Sequence, residues 1–69
     1  MKNTKAEQVM VGDKIVECDC EIRMVRAVRT MADGRIQIAV QSFSLRTDDY
    51  TGRVMYLPSF APTDLVELF

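Results

Sequence analysis

At 69 residues with a formal net charge of −1, the chain reads as one small domain, spanning residues 1–69. Its core must be thin, because a domain of this size buries only about 60% of the surface that its unfolded form exposes. A composition 48% hydrophobic and 28% charged excludes a disordered chain, no apolar run nears the roughly 20 residues that span a bilayer, and the lack of histidine removes the commonest general base.

In chain order, Met1-Lys2-Asn3-Thr4-Lys5 is basic, but Ala6-Glu7-Gln8 follows where a signal peptide would need its apolar segment. A soluble cytoplasmic protein is the expectation. Thr4-Lys5-Ala6-Glu7 fits a capping box, in which the Thr hydroxyl and the Glu carboxylate satisfy free N–H groups reciprocally, so one short helical turn is expected over residues 4–8. Val11-Gly12-Asp13 marks a tight turn feeding a first strand from Lys14 to Cys18, and Cys18-Asp19-Cys20 makes the next connection.

Residues 21–31 support two readings. As a helix, Ile22, Val25, Val28 and Met31 recur every three residues beside a stripe of Arg23, Arg26 and Arg29. As a strand, Ile22, Met24 and Val28 alternate onto one face while Val25 and Ala27 fall on the other, a conflict that a bulge near Val25–Arg26 would reconcile. The next segment favours the strand. Asp33-Gly34 is a strong hairpin signal, and Ile36, Ile38 and Val40 alternate cleanly after it, so a partner strand is expected immediately upstream.

After Val40 the apolar phase shifts to Phe43 and Leu45, which suggests another bend. Thr47–Gly52 reads as a loop and Arg53–Leu57 as a fourth strand. Pro62-Thr63-Asp64 reads as a helical turn before a final strand, Leu65–Leu68. The expected class is all-β: a five-stranded barrel or strongly bent sheet with one short helical turn at each end.

The Val11-Gly12-Asp13 turn, the strand after it, the Asp33-Gly34 hairpin and the closing Asp64–Leu68 segment resemble small SH3-like β-barrel modules of phage and bacterial proteins. The resemblance covers residues 9–68. It implies a binding module rather than an enzyme, acting on peptides, nucleic acids or other subunits. With no Trp and only Phe43, Tyr50, Tyr56, Phe60 and Phe69 as aromatics, the chain lacks the aromatic-rich groove of proline-peptide binders.

The residues exclude much chemistry. Cys18 and Cys20 are the only thiols, and structural zinc usually takes four Cys or His ligands. A disulfide between residues so close along a strand would be strained, so two small side chains in a reducing compartment are the plainer reading. Asp48 and Asp49 are adjacent and would splay apart in an extended loop. No nucleophile elbow or phosphate-cradling glycine loop is present. No catalytic residue, cofactor or metal is therefore expected.

Charge has functional reach. Residues 22–46 carry a local +4, against −2 before and −3 after them. All six arginines lie between Arg23 and Arg53, while the three lysines lie in the first fourteen residues. Arginine binds carboxylate or phosphate through a planar fork, although strand arginines often serve only as solvated cross-strand pairs. Arg23, Arg26, Arg29 and Arg35 on the hairpin, with Phe60 and Phe69, are the candidate partner-binding residues. The expectation is protein binding, as an accessory protein of a phage or bacterial cell (host cytoplasm if phage-encoded), with self-association to cover a thin core. The competing reading is a nucleic-acid module using the same arginines, which the acidic balance disfavours. Met24 and Met55 are expected to fill the core.

Overall fold

The computed structural model describes residues 2–16 and 21–69. The described chain forms β1 (Lys2–Lys5), a single 3₁₀ turn (Ala6–Gln8), β2 (Lys14–Val16), β3 (Glu21–Thr30), β4 (Ile36–Ser44), β5 (Asp49–Tyr50), β6 (Met55–Tyr56) and β7 (Leu65–Leu68). All strands join one antiparallel sheet in the order β1-β7-β2-β3-β4-β5, with β6 also on β4. The class is all-β. The sheet is not closed into a barrel.

The β3–β4 hairpin is its centre. Gly34 takes φ 87°, and Met31 and Arg35 close the turn through Met31 N–H to Arg35 O at 2.7 Å and Gly34 N–H to Met31 O at 2.9 Å. Asp33 Oδ1 accepts from Arg35 N–H at 3.0 Å, which ties the turn to its own side chain. Opposite each other along the two arms stand Val25 and Val40, Ala27 and Ala39, Val28 and Ile38, and Arg29 and Gln37.

Arg26 is the extra residue: the register shifts between Val25 and Ala27. A bulge of this kind changes which residues share a face. Because Arg26 is inserted, Val25 and Val28 both meet the core although they are three apart, the spacing that mimics a helix in the sequence. Residues 21–30 are a strand, and the bulge lies where the conflict of phase placed it.

Ala6, Val9, Val25, Ile36, Ile38, Val40, Val66 and Leu68 form the core, with Ile15, Val28, Leu57 and Phe60 packed against it. Residues 57–64 bridge β4 and the segment that follows β1. Leu57 N–H donates to Ile38 O at 3.0 Å, and Phe60 and Ile36 exchange hydrogen bonds of 2.8 and 2.9 Å. At the other edge, Ala6 N–H donates to Asp64 O at 2.8 Å and Glu7 N–H to Pro62 O at 3.0 Å. Irregular chain rather than paired strands thus links the two edges. The Val11-Gly12-Asp13 turn forms as expected, with Gly12 at φ 95° and Asp13 N–H bonded to Met10 O at 3.0 Å.

Several expectations are corrected. Thr4 caps nothing: it lies in β1 opposite Val66, and the 3₁₀ turn starts after Lys5 with no side-chain cap. Pairing with β7 outweighs the local capping pattern. At Ala61–Asp64 there is a hydrogen-bonded turn, not a helix, closed by Asp64 N–H to Ala61 O and by Ala61 N–H to Asp64 Oδ2. β4 runs on to Ser44 with no second register shift, so the change of phase at Phe43 is a change of face. The proposed loop 47–52 contains β5, and the proposed strand 53–57 shrinks to the two residues of β6. Met24 is half-buried and lies outside the core cluster, while Met55 is 52% exposed on the edge strand.

Candidate binding face

Alternation along β4 sends Ile36, Ile38 and Val40 to the core and Gln37, Ala39, Gln41 and Phe43 to the outer face. Their cross-strand partners follow them. Arg29 lies opposite Gln37, Ala27 opposite Ala39, Tyr56 opposite Ala39 on the far side, and Tyr50 opposite Phe43. The outer face therefore gathers polar and aromatic side chains around Ala27 and Ala39, with Met24 opposite Gln41 and the fully buried Ile22 opposite Phe43 on the same side.

Arg26 owes its position to the bulge. Its guanidinium carbon lies 4.8 Å from the Tyr50 ring centroid, a cation–π distance, and its Nη1 donates to Gln41 Oε1 at 3.3 Å. Gln41 is itself anchored, with Nε2 donating to Gly52 O at 3.0 Å. Tyr50 is fixed edge-on against Phe43, with centroids 5.3 Å apart and planes at 83°. Arg29 Nη2 donates to Gln37 Oε1 at 2.7 Å.

The electrostatic consequence is direct. Both guanidinium groups are oriented by neutral amides, which fix their direction without cancelling their charge. Each Arg retains N–H groups for a carboxylate or phosphate, and being held in place reduces the entropy lost on binding. Tyr50 at 39% and Tyr56 at 65% exposure add aromatic surface beside them.

The other candidates are placed elsewhere. Arg23 is half-buried opposite Ser42, two residues from Val25 and so on the opposite side of the strand from Arg29. Arg35 braces the fold: its Nε donates to Ser59 Oγ at 2.8 Å and its Nη2 to Ser59 O at 2.7 Å. Phe60 is partly buried against the core. Phe69 is 63% exposed next to β2, with its N–H on Lys14 O at 2.7 Å. Of the six, Arg26 and Arg29 come together on one face. Gln37, Gln41, Tyr50 and Tyr56 were not singled out from the sequence; the period-two spacing of the glutamines was the available signal.

Cys18 and Cys20 lie outside the described residues. Among the described residues, no group of three or more His, Cys, Asp or Glu side chains could hold a metal ion, and no helix is long and apolar enough to cross a membrane. Comparison with known proteins finds no matching family, no matching curated protein and no matching solved structure.

Proposed function

We propose that this chain is a non-enzymatic binding module whose outer β3–β4 face engages an acidic protein surface. The observation that carries the reading is the Arg26–Tyr50–Gln41 cluster beside Arg29–Gln37, two oriented and uncancelled guanidinium groups set among exposed tyrosines. Arginine and tyrosine are the side chains that interfaces enrich, because each gives large contact area and directional hydrogen bonds at low entropic cost. In the wider reading the sheet is an SH3-like module of a phage or bacterial accessory protein, supported by the Gly12 turn, the bulged β3 and the short closing β7.

A protein partner is preferred to nucleic acid for two reasons. The chain is acidic overall, which disfavours a long polyphosphate backbone more than a local carboxylate patch met by two guanidinium groups. Exposed Tyr56, opposite Ala39 on the same face, extends it with aromatic surface that suits a protein. Arg–Tyr surfaces also stack single-stranded bases, so nucleic acid is the second reading.

Paired affinity capture from the native cell tests this, with the wild-type chain and the Arg26→Ala/Arg29→Ala variant as baits. A protein partner retained by the first and lost by the second supports the proposal. A labelled oligonucleotide that binds, with affinity falling steeply and linearly on a log–log salt plot, replaces it with the nucleic-acid reading. Equal capture by both baits rejects this face.

A further inference from the structure

We propose that the open edge of β1 is a second docking site, taking an extended acidic segment of another protein as an added strand. Among the described residues β1 has a neighbour on one side only, with Lys2, Asn3, Thr4 and Lys5 opposite Leu68, Glu67, Val66 and Leu65 of β7. The outward backbone N–H and C=O groups of such an edge are a template for strand addition.

Beside this edge lies an open depression of about 330 Å³, lined by Lys2, Asn3 and Thr4 of β1 together with Gln8, Met10 and Leu68. Its far wall is held by Asp13, which also lines it and whose Oδ2 accepts from Met10 N–H at 2.8 Å. Thr4 is 8% exposed, and its hydroxyl oxygen has no hydrogen-bond partner among the described residues. Leu68 and the 68% exposed Met10 supply apolar contact for one side chain.

Charge and register define the occupant. Lys2 and Thr4 lie on the face that Leu68 and Val66 share, and Lys5 lies on the other. An added strand is matched when it sets carboxylates opposite Lys2 and Lys5 and an apolar residue opposite Thr4. An antiparallel segment then reads acid–apolar–any–acid. A second copy of β1 is a poorer occupant, because full antiparallel overlap sets Lys2 against Lys5 of the copy, and like charges directly opposite are destabilising.

Selection from a random-peptide display library on the whole protein tests the site, followed by amide mapping of the enriched peptides by NMR. The expected result is enrichment of paired acids flanking an apolar residue, with shifts centred on residues 2–5, 8–10 and 68. Lys2→Glu/Lys5→Glu, both at exposed positions, should weaken those peptides at least tenfold, while Arg26→Ala/Arg29→Ala leaves them unchanged. The amide spectrum of each variant verifies its fold. The proposal is overturned if no sequence is enriched, if the shifts map to the outer hairpin face, or if charge reversal leaves affinity intact. The last outcome would leave the two lysines as guards against edge-to-edge aggregation.

Discussion

Replacing Thr4 by Val should stabilise the protein. Thr4 is 8% exposed, stands opposite Val66 in β1, and its Oγ1 has no partner among the described residues. Valine keeps the shape and the strand preference of threonine while exchanging the unsatisfied hydroxyl for a methyl group. An unsatisfied buried polar group costs about 1–3 kcal/mol, and a β1 that sits at the sheet edge recovers only the lower part of that range. A gain of about 1 kcal/mol corresponds to a rise in Tm of roughly 4–8 °C for a domain of this size. Thermal and urea denaturation followed by circular dichroism measure it, with Thr4→Ser as the control. Serine keeps the hydroxyl and loses the buried methyl, so it should destabilise by about 1 kcal/mol. A Thr4→Val protein that melts at or below the wild-type temperature would refute the reasoning, because it would mean that the hydroxyl is satisfied and makes a net contribution.

Three further outcomes are expected. Deleting Arg26 removes the bulge and leaves Val25 and Val28 two apart, both still opposite the core residues Val40 and Ile38, so urea denaturation should show a loss of no more than about 1 kcal/mol, that of the cation–π contact with Tyr50. Arg26→Ala/Arg29→Ala should cost no more than about 1 kcal/mol, since an exposed cation–π contact contributes about 0.5–1 kcal/mol and exposed hydrogen bonds contribute little; a larger loss of melting temperature would make these arginines structural. Arg35→Ala should cost about 1 kcal/mol and speed amide exchange at Leu57 and Phe60, because the Ser59 brace holds that segment against β4.

How far the sequence reaches is clearest at the hairpin. Asp33-Gly34 and the alternation of Ile36, Ile38 and Val40 are local signals, and a tight turn leaves the two strands no other close partner. The bulge was legible for the same reason: no unbroken strand could bury both Val25 and Val28 against a single face. Leu65–Leu68 followed from its own alternation. The basic character of the hairpin was plain as well, and with it Arg26 and Arg29.

Only the tertiary structure decided the remainder, because it depends on segments distant in sequence. Lys2-Asn3-Thr4-Lys5 has no strand pattern of its own and becomes β1 through its pairing with β7, some sixty residues away. Met55 reads as core-filling by composition, yet β6 pairs to β4 at the rim and leaves it exposed. Arg23 and Arg26 look equivalent at their spacing of three, and the register of β3 against β4 sets one half-buried opposite Ser42 and the other over Tyr50. Local sequence determines turns and which residues alternate. Which strand lies beside which, and therefore which charges share a face, is settled by how the whole sheet covers its small core.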